Sequence, residues 1–121
     1  MPILIERASR IHAVGTKNKL IDEYIGRVNS NNNGVSVALM DSPSGWSEPG
    51  QRPEFDEFTV VLRGTVHVKH EGGEFDVNEG QAVVARAGEW IQYSTPTDDG
   101  AQYLSVCVPA FSVDTVHRDS D

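Results

Sequence analysis

The run Gly45-Trp46-Ser47-Glu48-Pro49-Gly50-Gln51-Arg52-Pro53-Glu54-Phe55-Asp56-Glu57-Phe58-Thr59-Val60-Val61-Leu62-Arg63-Gly64 decides the fold. Its first half is rich in Gly, Pro and polar residues and reads as a loop. Its second half is β-branched and aromatic, which reads as a strand. Along that strand Phe58, Val60 and Leu62 share one face, while Thr59 and Val61 share the other. Apolar residues therefore stand on both faces, whereas a sheet wetted on one side alternates more cleanly. Two covered faces in so small a protein predict one face toward the interior and one against a partner subunit. A homodimer is the expectation.

Working outward, short β-rich runs recur between turn signals. The expected strands are Val35–Met40, Phe58–Arg63, Thr65–His70, Glu74–Val77, Gln81–Arg86, Trp90–Ser94 and Gln102–Val108, with Leu20–Val28 extended as well. Gly64 separates two of them, and His70-Glu71-Gly72-Gly73-Glu74 reads as a tight hairpin. Asn31-Asn32-Asn33 reads as a mobile loop. No sustained helical period competes, so the class is all-β, a sandwich or barrel. The expected organisation is a single domain over residues 1–121. An N-terminal arm and first strands occupy 1–34, the barrel core 35–108, and an arm or tail 109–121.

Composition narrows the function. The 121 residues carry 10 Lys+Arg against 18 Asp+Glu, a net charge of −8. That balance argues against nucleic acid and anionic membranes as partners, since both call for a cationic surface. The length leaves no room for a separate dinucleotide-binding fold. No apolar run suits a signal peptide or a membrane span, so a cytoplasmic location is expected. Cys107, the single cysteine, lies in a strand-like run and reads as a small core residue. Neither a Gly-x-Ser-x-Gly elbow nor a phosphate-binding Gly-x4-Gly-Lys-Ser/Thr loop occurs.

The run quoted above resembles the first motif of the cupin superfamily: Gly, five residues, His-x-His, three or four residues, Glu, six residues, Gly. Gly45, Glu57 and Gly64 fall in register. The stretch from Gly80 to Thr95 resembles the second motif, with Gly80 and Gly88 matching. The wider sequence is similar to small single-domain cupins of the ethanolamine-utilisation or sugar-isomerase type. The resemblance implies an antiparallel jelly-roll β-barrel, the double-stranded β-helix, commonly a homodimer.

The resemblance also implies a metal held by three His and a Glu, and here the pattern departs from the family. Gln51 and Pro53 stand at the first two His positions, Ile91 at the third, and only Glu57 remains. No metal cofactor is therefore expected. A divalent ion, if one were held, would take Gln51, Glu54 and Glu57. The register places Glu57 inside, alone among the acids. A carboxylate in an apolar barrel is costly unless paired or protonated, and it can act as a general acid or base. Glu57 is thus the candidate catalytic residue, and Gln51, Glu57, Tyr93, Trp46 and Arg52 the candidate ligand contacts. Three readings remain open: a small-molecule-binding cupin, an isomerase- or lyase-type enzyme using Glu57 or an atypical metal, and an oligomerisation or interaction module.

Overall fold

The computed structural model describes residues 1–120. Nine strands form among the described residues: β1 Ser9–Ile11, β2 Leu20–Ile25, β3 Ser36–Ser42, β4 Trp46–Ser47, β5 Asp56–His70, β6 Gly73–Asn78, β7 Ala82–Ala85, β8 Ile91–Thr95 and β9 Ala101–Val108. No helix forms among the described residues, and none of the structure is a helix long and apolar enough to cross a membrane. The strand order is β1-β2-β3-β9-β5-β8-β4, with β6 and β7 also paired to β5, and every pairing is antiparallel. This curled antiparallel arrangement is the jelly roll expected from the sequence.

Strand β5 organises the molecule because it belongs to both walls. Its first half pairs with β7 and β9, and its second half with β6 and β8. Gly64 is therefore a corner within one long strand rather than the gap between two. It has φ +78°, and a Cβ there would come within 2.0 Å of the Gly100 carbonyl oxygen. Only glycine tolerates both conditions. The register slips between Val61 and Arg63, just before the corner, as a bulge does when it bends a strand. Two further boundaries differ from the sequence reading. β2 stops at Ile25 because the carboxylate of Glu23 accepts the amides of Val28 and Asn29 at 3.0 and 2.9 Å, which turns the chain. The short β1 and β4 form through pairing with β2 and β8, which no local pattern announces.

The two faces of the β5 wall follow the period of two. Inward lie Glu57, Thr59 and Val61, all buried, with Ser105, Cys107 and Tyr103 beside them on β9. Outward lie Phe58, Val60 and Leu62, still 37, 41 and 42% exposed. The outer rows continue across strands. Val84, Phe58, Val106, Val37 and Ile25 stand abreast in one, and Val60, Leu104 and Leu39 in the next. The second row ends at Asp22 and its ion pair with Arg10 at 2.9 Å.

The core fills the space between the walls around Trp46, Val61, Val66, Val68, Val77, Ile91 and Tyr93. A smaller cluster of Phe55, Cys107 and Val116, with Phe111 against it, lies under the C-terminal segment.

Candidate functional site

A cavity of about 230 Å3 opens between the inner face of the β5–β9–β3 wall and the first residues of β8. The N-terminal arm and the C-terminal segment close its rim. Its walls are apolar over Ile21, Ala38, Met40 and Phe111 and polar over a central group. That balance of apolar walls with a few convergent polar atoms is the usual make-up of a ligand site.

Glu57 stands at the centre, 8% exposed. Its Oε2 accepts a hydrogen bond from Ser105 Oγ at 2.9 Å and a weak one from the Cys107 thiol at 3.7 Å. Its Oε1 is buried without a partner, and so is the hydroxyl of Tyr93. Burial pushes the Tyr93 hydroxyl well up, and the charge of Glu57 and a side-chain contact with it add to this, while Thr59 acts the other way; the contacts fall short of hydrogen-bond geometry. Burial likewise pushes the Cys107 thiol up, with Glu57 reinforcing it. Cys107 is therefore a protonated donor near neutral pH and not a nucleophile.

Four further groups complete the cavity. Glu48, buried, is pushed up to about 7 by burial, against the pull of Lys19 and with a push from Glu57. Burial acts to lower Lys19, but Tyr103, Glu48 and Glu57 outweigh it, and the amine stays charged. Its Nζ lies 4.0 Å from the centre of the Trp46 ring and 5.2 Å from that of Tyr103, a cation–π arrangement. Tyr103 shares a hydrogen bond with Ser42 Oγ at 2.9 Å. Arg118 lies over Phe111, and its Nε is buried without a partner.

The C-terminal segment supplies Arg118 because it is a strap. The Arg52 and Glu54 amides donate to the carbonyls of His117 and Thr115 at 3.1 and 2.9 Å, and the Asp119 amide to Gly50 at 2.7 Å. Val116 is buried beneath it, His117 contacts Glu54, and Trp90 Nε1 donates to Asp119 at 2.9 Å. The Trp90 ring lies so close over Gly50 that a Cβ there would meet it at 2.4 Å.

Among the residues singled out from the sequence, Gln51, Glu57 and Tyr93 line this one cavity. Trp46 does not. It is fully buried in the core, its Nε1 donating to Val14 O at 3.2 Å, and it serves only as the platform under Lys19. Arg52 points to solvent, bonded to Gly88 O at 2.8 Å and Glu71 at 2.9 Å. Glu54 also points out, toward His117, so Gln51, Glu54 and Glu57 do not converge. The reason is parity. From Gln51 to Thr59 the odd-numbered residues are buried and Arg52, Glu54 and Phe58 are exposed. Among the described residues no group of three His, Cys, Asp or Glu is placed to hold a metal ion. Gln51 and Ile91, at two of the motif's ligand positions, do lie side by side, exchanging backbone hydrogen bonds at 2.9 Å.

Glu57 is also not the one interior acid, since Glu23 and Glu48 are buried with it. Sequence reasoning passed over Ser105 and Tyr103, although alternation along Gln102–Val108 puts them on one face with Cys107. It had no signal for Lys19 or Arg118, which stand in polar stretches that read as solvated. A second, wider groove of about 420 Å3 lies toward the β5–β6 hairpin, lined by Val68, Phe75, Val83, Trp90 and Ile91 among others. The unpartnered buried atoms belong to residues of the first cavity.

Comparison with known proteins agrees with this architecture. The family model described as a cupin domain matches residues 38–107. The chain is 36% identical over 102 residues, 84% of its length, to a Myxococcus xanthus protein named endoribonuclease YbeY. It is 36% identical over 56 residues, 46% of its length, to acetate kinase EutQ of Salmonella typhimurium. It spans only 35% and 24% of those two proteins. Among solved structures, an ethanolamine utilization protein Q from Salmonella typhimurium superposes with a TM-score of 0.64 at 22% identity, over 77% of this chain and 71% of that one. Oxalate decarboxylase from Bacillus subtilis superposes at 0.76 and 17% identity, over 94% of this chain and 30% of that one. The polyketide cyclase RemF from Streptomyces resistomycificus gives 0.77 at 15% identity, over the whole chain and 86% of RemF. At those identities the structures speak for the fold alone. The matched domain covers more than half of the residues and coincides with the curled β-barrel, so this chain belongs to the cupin family.

Proposed function

We propose that this cupin binds a small organic molecule in the 230 Å3 cavity, held by side chains rather than through a bound metal. One observation carries the reading: Glu57 Oε1 and the Tyr93 hydroxyl are buried, facing the same cavity, and unpartnered. A buried polar atom without a partner costs about 1–3 kcal/mol. Two of them facing one space are explained by a ligand that satisfies both. The cavity lies below the roughly 300–1,000 Å3 of drug-sized sites, so the ligand is small.

The test is a small-molecule screen followed by NMR on protein carrying labelled tyrosine and glutamate side chains. A ligand is expected to shift Tyr93 and Glu57 together, and Glu57→Gln combined with Tyr93→Phe to abolish the response. A ligand whose shifts avoid both residues would count against the reading.

A catalytic version has its own support in Glu48. A carboxyl titrating near 7 beside a charged lysine is suited to proton transfer at neutral pH. That reading moves the acid/base role from Glu57 to Glu48, and it predicts hydrogen–deuterium exchange at a bound ligand's acidic C–H, lost in Glu48→Gln. For partners, we propose a second copy of the chain on the apolar outer rows of the β5 wall. They form contiguous apolar rows, exposed at Phe58, Val60, Leu62 and Val84 and half-buried at Val106, Leu104, Val37, Leu39 and Ile25, with an Arg10–Asp22 rim. A reducing, cytoplasmic compartment suits a chain whose one cysteine is free.

A further inference from the structure

We propose that the ligand is a small hydroxy acid, its carboxylate received by Arg118 and Lys19 and its hydroxyl by Glu57 and Tyr93. This rests on the ligand-binding reading above and names the chemical class.

The polar atoms without partners differ in what they ask of a ligand. Arg118 Nε can only donate, and it lies buried with no acceptor among the described residues. An ionised Glu57 Oε1 can only accept, and the Tyr93 hydroxyl does either. A ligand that completes the set must bring an acceptor to Arg118 and a donor to Glu57. Charge sharpens the acceptor. Lys19 and Arg118 both line the cavity, and neither forms an ion pair within 4 Å among the described residues. Lys19 is held by the Trp46 and Tyr103 rings, which support a cation without neutralising it. Glu48 and Glu57 balance Lys19 and Arg118 across the cavity without a direct ion pair, so the donors of both cations stay open to an anionic group, and a planar carboxylate matches a guanidinium.

The donor comes next. Glu57 already receives Ser105 and Cys107 on Oε2. Only Oε1 is left, so it takes one further hydrogen, which a hydroxyl supplies. The remaining wall, Ile21, Ala38, Met40 and Phe111, asks for a hydrocarbon body beside the two polar groups. The strap matters here because it carries Arg118 to the rim through the bridge to Gln51, so it contributes a contact as well as a cover.

The experiment compares three matched probes by calorimetry and tyrosine NMR: mandelate, with both groups; phenylacetate, with the carboxylate alone; and phenylethanediol, neutral with hydroxyls. Mandelate is expected to bind at least tenfold more tightly than either of the others. Arg118→Gln and Lys19→Met are each expected to weaken mandelate about tenfold or more and to leave phenylethanediol unchanged. The Trp90 indole N–H, bonded to Asp119, reports that the strap stays docked in Arg118→Gln. Lys19→Met, away from the strap, gives the same answer independently. If phenylethanediol binds as well as mandelate and neither variant discriminates, the hydroxy-acid assignment is overturned while the cavity reading stands. If none of the three moves Tyr93, the hydroxy-acid assignment is overturned, and the screen above decides the cavity reading.

Discussion

The two faces of the first half of β5 depart from the usual arrangement of a soluble sheet. Glu57 and Thr59 point inward with Ser105 and Cys107, while Phe58, Val60 and Leu62 point outward. In a sheet that serves only to fold, the apolar set would be inside and the polar set in water. Here the polar set is enclosed, and two of its atoms have no partner in the protein. The apolar set is left a third or more exposed. On the proposals above, the inner departure belongs to a ligand and the outer one to a second copy. The comparison teaches that a violated hydrophobic pattern, read face by face, marks where a protein expects company.

The largest effect is expected on the outer face. Val60→Asp with Leu62→Asp places two charges in the apolar rows, and the particle mass by light scattering should fall by half with the fold kept. A mass that is monomeric before the change removes the dimer. On the inner face, pH should act through Glu48. Its value of about 7 in the folded state lies above the ordinary 4.5, so the folded protein keeps a proton that the unfolded chain releases. The contribution of this group to stability should therefore be most favourable below pH 4.5 and fall as pH rises through 7, by up to about 3 kcal/mol. Chemical denaturation at several pH values, for the wild type and Glu48→Gln, isolates that slope. An unchanged slope in the variant assigns it elsewhere.

Smaller effects separate satisfied from unsatisfied atoms. Ser105→Ala removes the donor to Glu57 Oε2 and should destabilise the free protein by about 1–3 kcal/mol. Tyr93→Phe removes a hydroxyl that has no partner, so it should be neutral or stabilising by about 1 kcal/mol while weakening any cavity ligand. Equal losses for the two substitutions would mean that the Tyr93 hydroxyl is bonded after all.

Much of the inner face was legible beforehand. Parity from Gln51 onward places Gln51 and Glu57 on one side and Arg52 and Glu54 on the other. Arg52 and Glu54 lie next to these residues in sequence but on the opposite face, so alternation outweighs proximity. The same alternation in β9 would have added Ser105 and Tyr103 to Glu57, given the pairing of the two strands. That pairing joins residues far apart in the chain and is decided by how the sheet closes.

Readable from the residues alone are the all-β class, the cupin resemblance, the loss of the histidine ligands and the inward place of Glu57. These follow from short-range regularities: a period of two, glycine at strained turns, and fixed motif spacing. Gly64 shows where that reach ends. Its identity announced a special backbone, but only the closed sheet shows a corner pressed against Gly100. The tertiary structure alone decided that Lys19, Glu48 and Arg118 surround Glu57. They come from the arm before β2, the β4 loop and the strap after β9, all polar stretches with no periodicity of their own. Their convergence arises from the curvature of the barrel and the path of its two ends. Sequence alternation can tell which way a side chain faces, but not which distant side chain it will meet.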